Sequence, residues 1–246
     1  MEQFNAKGAK MAVVAWIRDW FEKNGAGCKA IVGISGGKDS SVVAALCAEA
    51  LGKDRVIGVL MPQGNQRDID AAMDLVEHLN IESHMVNIGT IVREYLTQLR
   101  VAKQITNKQC ETNIPPRVRM AMLYAFAAMH NGRVANTSNY SEDFIGYTTK
   151  FGDSAGDFAP IMDFTMTEVK AIGHELGLPR HLVEKVPEDG LTGKTDEENF
   201  GFKYADLDAA LRDSAPLSDR MIELHEANLH KVSPIARYEY ILHSPY

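Results

Sequence analysis

The sequence predicts an α/β protein: a parallel sheet with helices on both faces, followed by a helical C-terminal part. Two observations carry this. Short apolar runs of strand length alternate with stretches of helical period from the N-terminus to about Asn136. The first of those runs closes on a glycine- and serine-rich loop, "VGISGGKDSS" from Val32 to Ser41, out of which a helix starts. Strands alternating with helices imply right-handed crossovers onto one parallel sheet.

The elements follow in order. From about Lys10 to Lys23, Met11, Val14, Ala15, Ile17, Trp20 and Phe21 recur at helical spacing, and Gly25 and Gly27 stop the helix. Ala30 to Ile34 has the length and composition of a buried strand. Ser40 to Leu51 reads as a small-residue helix ended by Gly52, and Val56 to Met61 as a second buried strand ended by Pro62. Asp68 to Leu79 is a helix, His84 to Ile88 a third strand, and Ile91 to Val101 a helix. Val118 to Met129 is a strongly apolar helix preceded by two prolines, and Arg133 to Asn136 a fourth short strand. Residues Ile145 to Ala159 are rich in Gly, Asp and Thr, with a Pro-Ile strand and a helix expected just beyond. Glu188 to Asn199 is polar without an apolar period. Two helical patterns close the chain, near Ala205 to Leu211 and Leu217 to Leu229. No linker stands out, so residues 1–246 are taken as a single domain.

The bulk numbers narrow the class. The 246 residues are 45% hydrophobic and 24% charged, with a net charge of −7 and a pI near 5.6. That acidity argues against a general nucleic-acid surface. Cys28, Cys47 and Cys110 are odd in number and lack metal-like spacing, so they read as reduced thiols of a cytoplasmic protein. The N-terminal MEQFNAKGAK has no apolar signal core, and no apolar run approaches a membrane span.

The loop is the strongest chemical signal. It is not the usual nucleoside-triphosphatase loop, which needs a Gly five residues before its Gly-Lys and a Ser or Thr directly after. Here those positions hold Val32 and Asp39. Yet it sits where a parallel strand ends and a helix begins, the place where open α/β sheets bind ligands. Gly33, Ile34, Gly36 and Gly37 bring backbone close to a polyanion, while Ser35 and Ser40 offer hydroxyls and Lys38 a cation. Asp39 facing phosphates would repel them unless a cation intervened, so it is expected to bind Mg²⁺. The competing reading is a glycine turn with Asp39 as a helix cap.

Ser35-Gly36-Gly37-Lys38-Asp39-Ser40 resembles the pyrophosphate loop of the N-type ATP pyrophosphatases, which adenylate a substrate oxygen with ATP. Three further stretches resemble one branch of them, the ammonia-dependent NAD synthetases. The first is "TNIPPRVRM", in which Asn113, Ile114 and Arg117 match an Asn-Ile-x-x-Arg segment. The second runs from Asn136 to Ile161 and contains Tyr147-Thr148-Thr149-Lys150-Phe151-Gly152-Asp153, like the family's Thr-Lys-Tyr/Phe-Gly-Asp segment. The third, Val186 to Asp208, has a Thr-Asp-Glu-x-x-x-Gly core like the family's mobile segment, expected as a lid. A His230-Lys231 pair completes the pattern.

The resemblance implies an adenine nucleotide alpha hydrolase-like fold and a homodimer. It implies ATP as co-substrate, nicotinic acid adenine dinucleotide as acceptor and ammonia as nitrogen donor. Arg117, Lys150, Asp157, His230 and Lys231 would contact the dinucleotide, Thr137 would join the ATP site, and Asp39 and Glu142 would bind Mg²⁺. By itself Glu142 reads as an early helix residue favoured by the helix dipole; beside Asp39 it becomes a second metal ligand. Asp153 is a candidate for binding ammonium or taking its proton. The pattern is broken at Met166, where several family members carry a lysine; Lys38 or Lys194 would have to supply that charge. Two other readings compete: an ATP pyrophosphatase with another acceptor, such as a tRNA thiolase, and a non-catalytic adenine-nucleotide sensor. Metal carboxylates and ATP turnover separate enzyme from sensor. A separate amidase supplying the ammonia is compatible with the chain.

Overall fold

A computed structural model describes residues 4–64, 69–185, 195–212 and 214–238. Four strands form one parallel sheet: β1 (Lys29–Ile34), β2 (Val56–Leu60), β3 (Glu82–Met85) and β4 (Gly132–Val134), ordered β3-β2-β1-β4. Among the described residues eleven α-helices accompany it. Those in the first half are α1 (Ala6–Asn24), α2 (Lys38–Leu51), α3 (Ile69–Leu79), α4 (Gly89–Val101) and α5 (Lys108–Met129). The second half holds α6 (Tyr140–Ile145), α7 (Met166–Glu175), α8 (Arg180–Val183), α9 (Asp196–Phe200), α10 (Tyr204–Leu211) and α11 (Asp219–Val232).

The sheet is buried on both faces because β1 and β2 are apolar at nearly every position, not at alternate ones. Ala30, Val32 and Ile34 point to a cluster built with α1, α2 and α7. Ile31, Ile57, Val59 and Val134 point to the opposite cluster, built mainly with α4 and α5. Gly33 lies where α5 comes nearest: a Cβ there would meet Leu123 Cδ1 at 3.3 Å. The C-terminal helices have their own small core of Ile145, Met166, Phe200, Tyr204, Leu207 and Met221.

Several expectations shift. In α1 the buried face is Val13, Val14, Ile17 and Phe21, while Met11 is 60% exposed. The third strand lies earlier, at 82–85, and is largely exposed because it is the sheet edge. The Pro-Ile strand is replaced by turns, leaving one bridge between Ala135 and Phe158. The helix expected from Val118 begins ten residues earlier and runs through Pro115 and Pro116. Asn107 caps it by accepting from the Cys110 N–H, and burial of Ile114, Pro115 and Val118 holds the helix through the prolines. The carbonyls that lose a donor belong to Glu111, exposed, and Thr112, half-buried, where solvent has access. Of the expected lid, residues 186–194 lie outside the described residues.

Candidate active site

The C-terminal edges of β1, β2 and β4 open onto one crevice. At β1 the chain leaves Ile34, turns through Gly36 at φ +83°, a conformation glycine adopts without strain, and enters α2 at Lys38. The turn is stitched by its own hydroxyls. Ser35 Oγ accepts from the Gly37 N–H at 3.2 Å and lies 3.1 Å from Ser40 Oγ; Ser41 Oγ donates to the Gly37 carbonyl at 2.8 Å. No side chain caps the α2 N-terminus, whereas Asn5, Asn107, Asn139, Thr165, Thr195 and Ser218 cap six other helices. The positive end of α2 therefore faces the crevice with N–H groups to offer an anion.

Asp39 does not cap the helix. Its Oδ2 accepts from Lys38 Nζ at 2.8 Å and its Oδ1 from Asn139 Nδ2 at 3.0 Å. Asn139 in turn accepts from the Glu142 N–H through Oδ1 at 3.0 Å, so one side chain links the loop to the first turn of α6. Glu142 is half-buried by surface area, but its carboxyl end is the enclosed part. Burial, with the Asp39 charge adding to it, pushes the Glu142 carboxyl up to about 8. Burial would lower Lys38, yet the charges of Asp39, Glu142 and Asp196 outweigh it and hold the ammonium above its ordinary value. Two neighbouring carboxylates sharing one buried lysine carry spare acceptor capacity, and hard oxygen donors suit Mg²⁺. Among the described residues no group of three or more His, Cys, Asp or Glu side chains forms a metal cage. A pair of carboxylates fits an ion that completes its shell with phosphates and water.

Thr137 is half-buried two residues past the Ala135 bridge, beside a buried polar knot. In that knot Asn136 Nδ2 donates to the carbonyls of Asp153 and Ala155 at 3.0 and 3.1 Å. The Asp153 carboxylate accepts from the Thr149 N–H at 3.0 Å and from Thr148 Oγ1 at 2.7 Å. This fixes the loop so that Asp153 faces the crevice near Glu142, Arg119 and Lys231, on each of which its charge registers.

The basic residues gather on the outer side. Arg117 Nε donates to the Lys150 carbonyl at 3.2 Å, Lys150 Nζ to the His230 carbonyl, and Lys231 Nζ to the Gly146 carbonyl at 3.0 Å. Arg117, Lys150 and His230 thus form one chain of contacts joining α5, the 147–153 loop and α11, while Lys231 ties α11 to the end of α6. Asp157 stands apart. Its oxygens accept from the Val134 N–H at 2.7 Å and from Tyr124 Oη at 3.3 Å, which ties β4 to α5. Met166, at the broken position, is 4% exposed in the C-terminal core; Lys194 lies outside the described residues.

Sequence reasoning gave no site role to Asn136, Asn139, Tyr147, Asp196 or Tyr204, although Asp196 lies in the Thr-Asp-Glu-x-x-x-Gly core. Asp196 is 5% exposed and accepts from Tyr147 Oη at 3.1 Å and Tyr204 Oη at 3.4 Å, with its charge registering on Lys38 and Glu142. Its sequence signal is Thr195-Asp196-Glu197-Glu198, a capping box, but that pattern alone says only that a helix starts.

Fold and crevice together define an α/β protein of nucleotide-binding class, with Asp39 at its glycine-rich strand-to-helix loop. A family model described as NAD synthase matches residues 10–241. The chain belongs to the NAD synthase family. It is 42% identical over 185 residues to an NH3-dependent NAD+ synthetase of Methanocaldococcus jannaschii, covering 74% of this chain and 71% of that one. It is 38% identical over 226 residues to the NH3-dependent NAD+ synthetase of Archaeoglobus fulgidus, covering 86% and 90%. Among solved structures, NMN synthetase from Francisella tularensis superposes with a TM-score of 0.88 at 30% identity, over 97% of this chain and 100% of that one. NH3-dependent NAD synthetase from Campylobacter jejuni superposes at 0.77 and 28% identity, over 96% and 100%.

Proposed function

We propose that this protein amidates nicotinic acid adenine dinucleotide to NAD with ammonia, at the expense of ATP. The observation that carries this is the open α2 N-terminus with Asp39 and Glu142 beside it, in a chain matched to the NAD synthase family over nearly its whole length. A carboxylate is a poor acyl donor because its oxygen leaves badly. One of its oxygens attacks the α-phosphorus of ATP, the bond to pyrophosphate breaks, and a mixed anhydride with AMP forms. Ammonia then adds to the activated carbonyl and AMP departs.

The loop from Gly33 to Ser40 holds the phosphates as charge builds on the leaving pyrophosphate, with Thr137 at its rim. Asp39 and Glu142 would hold Mg²⁺, which when bound neutralises phosphate charge. Asp153 receives ammonium and takes its proton. Arg117, Lys150, His230 and Lys231 suit the acceptor's phosphates, and Asp157 contributes from the β4 side by exchanging its Tyr124 contact. Much of the rate comes from holding two large ligands in line. No cysteine is used; burial pushes the Cys47 thiol up to about 12, far from a nucleophile.

The protein is proposed to act as a cytoplasmic homodimer. Its three thiols form no disulfide. On α4, exposed Ile91 and Tyr95 line an apolar cleft of about 600 Å³ with Leu99, and Val101 and Ile105 are exposed farther along the chain.

One observation favours a second acceptor. The superposition on an NMN synthetase is tighter than on the NAD synthetase from Campylobacter at similar identity, and the mononucleotide acid would present the same carboxylate. The test is AMP and pyrophosphate release from Mg-ATP and ammonium, with the dinucleotide acid, the mononucleotide acid, or neither. Turnover with the dinucleotide and formation of NAD supports the reading. A higher kcat/KM with the mononucleotide replaces the acceptor. ATP binding without AMP release under any condition overturns the enzyme.

A further inference from the structure

The amidation reading leaves one charged group of the crevice without a task. Arg119 lies two residues beyond Arg117 on α5, but the helix turns it the other way. Arg117 is exposed, whereas Arg119 reaches inward to the end of β2 and donates from Nε to the Met61 carbonyl at 3.1 Å. Among the described residues that is its only hydrogen bond. Among the described residues its two terminal guanidinium nitrogens take neither a hydrogen bond nor an ion pair, and no fully buried side-chain nitrogen is left without a partner. Those nitrogens therefore keep access to solvent beside the end of β2. Burial lowers the Arg119 guanidinium from its ordinary value and the Asp153 charge partly restores it, so the group is desolvated but remains a cation. A half-buried arginine whose fork meets no acid is costly in the absence of an anion.

Its position tells which anion. The phosphate loop lies at the end of β1, and the basic chain of Arg117, Lys150 and His230 lies on the outer side. Arg119 sits at the end of β2 opposite Asp153, whose own oxygens are anchored by Thr148 and Thr149. The Asp153 charge is felt at Arg119, and among the described residues the two form no ion pair. The reaction joins a carboxylate to a nitrogen that arrives as ammonium, so its reactants have the opposite charges to these two groups.

We infer that Arg119 is the residue that recognises the acceptor's reacting carboxylate and selects the acid over its amide product, an inference that rests on the amidation reading. One carboxylate oxygen lies on the guanidinium while the other attacks the α-phosphorus. When ammonia adds, the carbonyl electron pair moves onto the oxygen held by Arg119; it returns as the bond to AMP breaks, and the surplus proton of the nitrogen leaves through Asp153. The amide formed is neutral and loses this charge-assisted contact, which favours release.

The test is binding of the dinucleotide acid and of NAD to the ATP-free protein by calorimetry, alongside KM for ATP, in the wild type, Arg119→Gln and Arg119→Lys. Loss of a charged hydrogen bond predicts that Arg119→Gln weakens the acid by about tenfold to a hundredfold. NAD affinity and the KM for ATP stay within about twofold. Arg119→Lys recovers part of the acid preference. Acid and amide weakening together, or a raised KM for ATP with acid binding unchanged, overturns the inference. If Arg119→Gln fails to fold by thermal melting, Arg119→Lys decides: an acid-to-amide ratio equal to wild type overturns it. A wild type that amidates no nicotinic acid nucleotide at all refutes the amidation reading instead.

Discussion

Replacing Glu142 by Gln is expected to stabilise the metal-free protein while destroying its activity. The unfolded chain loses this proton near 4.5, and the folded protein keeps it to about 8 because of burial and the neighbouring Asp39 charge. Between those values the folded state holds the extra proton, so wild-type stability falls as pH rises and levels off above the folded value. Each unit is worth about 1.4 kcal/mol, giving an upper limit of about 5 kcal/mol at alkaline pH. Glutamine does not titrate. Its advantage over the wild type should be small near about pH 5 and grow by about 3 kcal/mol between about pH 5.5 and 8.5, raising Tm by roughly 6–12 °C at the upper end. Urea denaturation of both proteins across that range, in chelator, reads the difference. Added Mg²⁺ should stabilise the wild type but not the variant, shrinking the gap. A stability difference that does not change with pH would refute the claim that the Glu142 carboxyl is enclosed beside Asp39.

Three other outcomes follow from the geometry. Asp153→Asn keeps an acceptor for the Thr149 N–H, but it removes the charge and the oxygen that accepts from Thr148 Oγ1. It should leave ATP–pyrophosphate exchange intact and slow NAD formation by about a hundredfold or more, with equal loss in both assays arguing against an ammonia role. Gly146 has φ +62°, and a Cβ there would meet Asn228 Cβ at 2.3 Å. Gly146→Ala should therefore cost about 2–5 kcal/mol in urea denaturation and raise acceptor KM by displacing Lys231, which bonds the Gly146 carbonyl. Tyr95→Glu on the exposed face of α4 should give a monomer in analytical ultracentrifugation, and a wild type already monomeric at high concentration would end the dimer proposal.

The sheet was legible in the sequence wherever burial was two-sided, because β1 and β2 must then be apolar at almost every position. The edge strand was misplaced for the converse reason: Glu82-Ser83-His84-Met85 pairs through its backbone and has little need of apolar side chains. Proline misled at α5, where tertiary burial of Ile114 and Val118 outweighs two missing hydrogen bonds. At the site, the strand-to-helix loop with Asp39 could be read from a local motif, whereas Glu142 was reached only through its partnership with Asp39. Asn139 and Arg119 had no such signal. Each is distinguished by what it meets across the fold, and a residue's local neighbours carry no record of that.

Asn139 has a wider consequence. It caps α6 through one end of its amide and holds Asp39 through the other, joining positions a hundred residues apart in the chain. The distance from the Asp39 carboxylate to the first turn of α6, which carries Glu142, is thus gauged by one short side chain. Loops in that interval are free to lengthen, shorten or acquire new contacts without resetting the gauge. A lineage can therefore remodel which acceptor it admits while the machinery that handles ATP keeps its dimensions.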